Sequence, residues 1–354
     1  MGNSLKSAPK EQNHASYRKF HLENLEYNPS SSQTPSPYLL SSGAYLSSTD
    51  RSREDLQQNF DEIYKLDNPG TVEDIHKECK DVMPVFFEGA RVIFTRCLSN
   101  HFQISHTLRL LSERGSSCYR FGATYVGGKG TSIQDSYPIF LGEIEKSGNM
   151  QANILHGINN KIRVKTGVEY SGSHVINCQI VTDYIGEAFS ASLGLSNINL
   201  KNSSGIVVCQ YLQSLTRNLA LGGELGYQYN PFLPSGYLTI FNLASRYKSD
   251  SSIVSAIIGG SGLHISYFKQ ASHQLKIGVE FSSNFEVRGT CTAIGYQIDL
   301  PKADLVFRGT VDTNCNVCSV LEKRLKPMPF SFSLSGLLNQ KTGQFKMGCG
   351  FIIG

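Results

Sequence analysis

From Gly89 to the C-terminus, apolar and polar positions alternate with a period of two. Between Lys161 and Tyr170, one face carries Ile162, Val164, Thr166, Val168 and Tyr170, and the other carries Lys161, Arg163, Lys165, Gly167 and Glu169. Leu275, Ile277, Val279 and Phe281 alternate with Gln274, Lys276, Gly278 and Glu280 in the same way, as do Phe102, Ile104, Leu108 and Leu110 with Gln103, Ser105, Thr107 and Arg109. About 19 such segments follow one another, most of about seven to eleven residues, each a half-apolar strand. Clusters at Ser147–Asn149, Ser249–Ser251, Ser282–Asn284 and Gln340–Gly343 supply turns. With no helical crossover in the run, neighbouring strands are expected to pair antiparallel.

Two stretches before Gly89 depart from this period. Residues 1–67 are rich in Ser, Pro, Asn and Gln and hold too few apolar groups to offset the entropy of ordering, so they read as a disordered extension. Residues 68–88 read as a capped helix and the lead into the strands. Asn68-Pro-Gly70 makes a turn, Thr71 is placed to cap, and Asp74 stands three residues on, as in a capping box. Val72, Ile75, Cys79 and Val82 recur at helical spacing up to Pro84, predicting about three turns with one apolar stripe that needs a partner surface.

Composition narrows the fold class. Charged residues make up 18% and apolar ones 40%, and 33 Gly, 17 Tyr and 19 Phe suit many short strands with aromatic faces and tight turns. Strands of about 9–11 residues match a tilted crossing of a bilayer, whereas globular strands centre on about five to six. A sheet of about 19 strands would curl or split, and closing it removes both edges. The chain therefore reads as an all-β membrane protein, a closed transmembrane β-barrel over 89–354, rather than a soluble sandwich. Mean hydropathy of −0.21 does not oppose this, because only alternate residues of a barrel strand meet lipid. Ser251–Phe268 is broken by Gly259, Gly260 and Gly262 and does not read as a spanning helix.

The net charge of +4 is spread without a basic stripe, which argues against nucleic acid as a partner. Nine cysteines without regular spacing, and no signal-peptide pattern, point to synthesis in the cytosol with reduced thiols.

Several motifs resemble a known family. Asn68-Pro-Gly-Thr-Val-Glu-Asp74, Leu98-Ser-Asn-His-Phe-Gln103, Tyr211-Leu-Gln-Ser214, Leu219-Ala-Leu-Gly-Gly-Glu-Leu225 and Gly295-Tyr-Gln-Ile-Asp-Leu-Pro-Lys-Ala303 are similar, in order, to the pore-forming subunits of the mitochondrial outer-membrane translocase, the TOM complex, within the eukaryotic porins. The resemblance implies a protein-conducting channel in the mitochondrial outer membrane, with the capped helix inside the pore and both termini toward the intermembrane space. It also implies precursor proteins with targeting signals as cargo, receptors and small single-helix subunits as partners, and a homodimeric core. The alternative is a metabolite and ion channel of the voltage-dependent anion channel type, which shares the fold. Where family members carry a Trp, Asn314-Cys-Asn-Val-Cys318 stands here, a departure that reads as a divergent or tissue-restricted paralogue.

Candidate functional residues follow from the strand faces. Glu169, Glu224, Glu280, Asp304 and Asp312 all fall opposite the apolar set, and an acid-lined lumen would attract Arg-rich, acid-poor presequences. The last strand matches the family's β-signal at Lys346, Gly348, Phe351 and Ile353, a pattern that can be read by strand addition onto insertion machinery. Other motifs carry no chemistry. Cys315 and Cys318 would point to opposite faces of a strand, and Gly127–Thr131 lacks the Ser or Thr after Lys129 that a phosphate loop needs. No catalytic constellation, metal-ligand set or cofactor motif is legible, so the chain reads as a non-enzyme with no cofactor.

Overall fold

The computed structural model describes residues 66–111, 117–128, 137–172, 174–199, 204–231 and 235–354. The Ser/Pro-rich extension falls almost wholly outside the described residues, as does most of the Gly127–Thr131 loop.

Among the described residues one α-helix, α1 (Lys77–Val82), precedes 19 strands. They are β1 (Gly89–Cys97), β2 (Phe102–Leu110), β3 (Cys118–Val126), β4 (Ile139–Glu145), β5 (Met150–Asn159), β6 (Ile162–Ser171), β7 (His174–Ile185), β8 (Phe189–Asn199), β9 (Ser204–Ser214) and β10 (Leu219–Tyr229). The rest are β11 (Tyr237–Lys248), β12 (Ser252–Gly259), β13 (Gly262–Gln270), β14 (Leu275–Asn284), β15 (Gly289–Leu300), β16 (Leu305–Asp312), β17 (Asn316–Leu325), β18 (Phe330–Asn339) and β19 (Gln344–Ile353). No described helix is long and apolar enough to cross a membrane.

Each strand pairs antiparallel with its neighbours in sequence, and the ring closes through β1 and β19. That closing pair is parallel, Gly89↔Gly348 through Phe94↔Ile353, and is the exception to the expected antiparallel pairing. The cause is parity: in an up-and-down ring with an odd number of strands, the first and last run the same way.

Period two and the register together assign the faces. Outward residues such as Phe94, Leu110, Ile154, Leu193, Leu243 and Ile294 are exposed, as a lipid-facing wall requires. Polar residues pair with one another on the inner face, as in Ser255↔Ser266, Ser266↔Glu280 and Gln297↔Arg308. The turn expected at Ser282–Asn284 lies later. β14 runs through Asn284, whose side-chain oxygen accepts from the backbone N–H of Glu286 and Val287 and so shapes the turn that follows.

Leu243 and Asn242 are adjacent on β11 and face opposite ways. Leu243→Lys should cost about 2–4 kcal/mol in lipid, whereas Asn242→Lys points into the lumen beside Glu224 and should cost little. Carbonate-resistant membrane integration of the two variants measures the difference, and equal integration would mean the faces are misassigned.

A belt inside the candidate pore

The lumen is not empty. Odd strands end at the rim where β19 ends, here the C-terminal rim; even strands end at the far rim. Asp67 and Asn68 sit at the C-terminal rim. The Asn68 side-chain amide donates to the carbonyls of Gly186 (2.6 Å) and Phe189 (3.0 Å) in the β7–β8 connection, and Ser214 Oγ donates to the Asp67 carbonyl at 2.8 Å. Gly354 lies at the same rim, its N–H bonded to Pro329 O in the β17–β18 connection. From Asp67 the chain runs along the inner wall as a belt until it becomes β1.

Small side chains form the track for this belt. Ser190 Oγ donates to Gly70 O, Ser255 Oγ donates to Ile75 O at 2.8 Å, Ser266 Oγ meets His76 Nδ1 at 2.6 Å, and Ser335 Oγ donates to Phe87 O. These buried serines satisfy belt groups that no helix or sheet ladder serves. Where the belt touches the wall most closely the wall carries glycine. A Cβ at Gly278 would stand 3.0 Å from Cys79 Sγ, and one at Gly295 would collide with Met83 Sδ. Under Val72 and Ile75 the polar inner face gives way to Leu212, Ala220, Ala244 and Ile257, and together these make the apolar cluster of the molecule.

Three ion pairs fix the belt. Glu73 meets Lys165 at 3.5 Å, Glu78 meets Arg246, and Glu88 meets Lys346 at 2.8 Å. Lys165 also pairs with buried Asp183 at 3.0 Å, and Arg246 donates to Pro69 O at 3.0 Å. Partly buried pairs of this kind hold geometry more firmly than exposed ones, because losing one partner strands the other.

The capped helix is shorter than expected. Thr71 Oγ1 accepts from Asp74 N–H (3.3 Å) and donates to the Asp74 carboxylate (3.0 Å), on a turn that lies ahead of the helix and does not cap it. Helix α1 itself covers only Lys77–Val82 and packs against β13, β14 and β15. The reason is competition: the Ile75 carbonyl is taken by Ser255, and the preceding turn closes through short bonds such as Lys77 N to Asp74 O.

The five acids occupy three kinds of place. Glu169 lies on the inner face between Gln151 and Asn177. Glu224 accepts from Gln210 Nε2 (2.6 Å) and Asn242 Nδ2 (2.9 Å), which hold the carboxylate toward the lumen. Glu280 stands opposite Ser266, beneath α1. Asp304 is outside the strands, in the β15–β16 connection at φ 49°, with Lys326 at 2.7 Å. Asp312 ends β16 at the far rim and accepts from the N–H groups of Asn314 (2.8 Å) and Asn316 (3.0 Å). The structure thus does not bring the five together: the 3-10 turn at Pro301–Ala303 breaks the alternation ahead of Asp304, and the β16–β17 turn uses the Asp312 carboxylate.

Sequence reading missed Glu143, Asp183, Asp299 and Glu322, which share the inner face with Arg163, Lys276 and Arg308. The alternation of each strand carried the signal. It also missed the belt as a source of acid: residues 67–88 hold six carboxylates against two lysines.

The β-signal residues divide by face. Lys346 and Gly348 face inward, and Phe351 and Ile353 outward, continuing Val92 and Phe94 of β1. In the closed barrel Gly348 leaves room for Phe87, whose carbonyl a Cβ there would strike. Cys315 stands in the β16–β17 turn at φ 60°, and Cys318 is buried on the inner face.

Among known proteins, the description "Eukaryotic porin" matches residues 68–348. The mitochondrial import receptor subunit TOM40 homolog 2 of Drosophila melanogaster is 43% identical over 290 residues, 82% of this chain and 85% of its own length. The corresponding TOM40 homologs of Xenopus laevis and Homo sapiens are 41% and 39% identical, again across 82% of this chain and across 85% and 79% of theirs.

Cys79 provides a test of the seated belt. Its thiol is pushed up to about 12, first by burial and then by the nearby Glu280 carboxylate. A raised value keeps the thiol protonated and poorly nucleophilic at pH 8.5. Maleimide should therefore modify exposed Cys97 and Cys315, at the rims, well before Cys79. Mass mapping that finds Cys79 labelled as fast as those two would mean the belt does not lie on the wall.

Proposed function

The chain belongs to the eukaryotic porin family, and from that premise we propose that it is the protein-conducting channel through which precursors cross the mitochondrial outer membrane as part of the TOM complex. The observation that carries this reading is a closed ring of 19 strands with a polar inner face. Barrels of about 16–18 strands already leave an aqueous channel, and an extended chain or one helix of about 10–12 Å can pass a ring of this size. The names of the relatives attach to import.

Movement through such a pore needs no nucleotide or metal. A wet polar wall lets a chain slide, and direction comes from partners on either side. The finer assignments are precursor receptors, small single-helix subunits lying against the lipid-facing wall, and a second copy of this chain. Both termini would face the intermembrane space. Thr71 and Asp74 would serve as the folded turn that starts the belt.

Presequence guidance falls to Glu169, Glu224 and Glu280 with the acidic belt, and Asp304 and Asp312 contribute as rim charges. A precursor stalled by a folded C-terminal domain, with photo-cross-linkers along its presequence, should link to the inner face; linkage to the rims alone would oppose the reading. Glu169→Gln, Glu224→Gln and Glu280→Gln combined should weaken presequence-peptide blockade several-fold, flatten its salt dependence and move ion preference toward anions. Asp304→Asn with Asp312→Asn should do less, and identical behaviour of all three barrels would make the carboxylates a solvated face.

Lys346, Gly348, Phe351 and Ile353 are assigned as the insertion signal. A free peptide of residues 344–354 should compete with barrel insertion into isolated mitochondria, and its Gly348→Val, Phe351→Lys form should not. Because the peptide has no Phe87 to accommodate, equal competition by both forms would leave Gly348 as a packing residue only.

A further inference from the structure

Strands β1, β2 and β3 bring three guanidinium groups onto one inner face, toward the far rim. Arg91 and Arg109 are direct partners in the antiparallel register. Arg120 stands one strand on and diagonal to Arg109, since it pairs with Thr107 while Arg109 pairs with Cys118. Directly opposed side chains start about 4.5–5.5 Å apart at Cβ, and like charges so placed destabilise a sheet.

Little in the wall relieves this. Glu143 of β4 pairs with Arg120 at 2.9 Å, but among the described residues no ion pair neutralises Arg91 or Arg109. Arg91 Nε is buried without a hydrogen-bond partner. The other carboxylates nearby are already engaged: Glu145, the register partner of Arg120, accepts from Ser147 (2.7 Å) and Asn149 (2.9 Å), Glu322 of β17 lies 3.5 Å from Arg308, and Glu88 is held by Lys346.

We propose that Arg91, Arg109 and Arg120 form an oxyanion-binding station in the lumen, serving carboxylate-rich stretches of a passing polypeptide. Planar guanidinium groups on adjacent strands present paired N–H donors to carboxylate or phosphate oxygens, and a bound anion removes the repulsion that the register imposes. The acidic belt is tied to β6 through β15 around the ring, with its end on β18 and β19, so cationic and anionic stretches of one chain meet different walls. The polypeptide assignment rests on the import reading, whereas the oxyanion site itself does not.

The full-length chain, reconstituted in planar bilayers, can be probed with inorganic tripolyphosphate, a deca-glutamate peptide and a basic amphipathic peptide. Both anionic probes should reduce conductance of the unaltered barrel. The R91Q/R109Q variant should need about tenfold more of each, and the R163Q variant, which changes an inner-face arginine on β6, should behave as the unaltered barrel. Heat-modifiable migration in detergent verifies that each variant is a barrel, and if the double variant is not, R109Q alone carries the comparison with the same direction of change. Equal blockade of all the barrels overturns the station. Blockade by tripolyphosphate without the glutamate peptide overturns the polypeptide assignment and leaves a small-oxyanion site. Failure of the basic peptide to block the unaltered barrel counts against the import reading and leaves the arginine comparison standing.

Discussion

A backbone amide in the hydrocarbon of a bilayer has no water to bond, so a wall of strands is stable there only when its last strand meets its first. In this chain the meeting is between β1 and β19, and it is among the shortest junctions in the ring. Six residue pairs join them, in parallel, against eleven antiparallel pairs between β10 and β11. Parallel pairing is also slightly weaker per residue. The chain reinforces the seam from inside. Just before β1 the belt docks on β18 and β19, with the Phe87 carbonyl on Ser335, the Phe87 ring over Gly350, and Glu88 on Lys346. The inner face of the last strand is therefore built for the segment that leads into the first.

The same belt explains the make-up of much of the inner wall. A lumen filled only by water would tolerate any polar side chain, yet β8 through β15 present serine, glycine and alanine where the belt runs, with Leu212 and Ile257 beneath Val72 and Ile75. Short hydroxyls let a backbone approach and satisfy its carbonyls; long side chains would hold it off. A single-layer wall has no interior to bury apolar groups, so the apolar cluster forms where belt and wall make two layers.

Charge is distributed by the same division. Some basic residues on the wall tie down the belt, as Lys165, Arg246 and Lys346 do, others gather on β1 through β3, and Arg163, Lys276 and Arg308 stand beside acids of the wall itself. The acids that line the passage come from the belt as well as from Glu169 and Glu224. A pore organised this way offers a translocating chain chemically different walls, and single charges matter less than their grouping because each is wet and screened.

By itself the chain determined the strands, their number and which residues of each face lipid. These are local properties: a strand half in hydrocarbon needs alternate apolar residues, and that period survives whatever the neighbours do. The turn bond from Asp74 N–H to Thr71 Oγ1 was legible for the same reason. Tertiary structure decided what depends on residues far apart in the chain. It cut the helix to Lys77–Val82 because Ser255, on another strand, takes the Ile75 carbonyl. It placed Asp304 in a connection that alternation cannot cross, and it gave the carboxylate of Asp312, the last residue of β16, to the turn that follows. It turned Leu212, Ala220 and Ala244, which look like lapses in a polar face, into the seat of the belt. That seat is assembled from many strands, and those strands face a common lumen only once β1 has closed on β19.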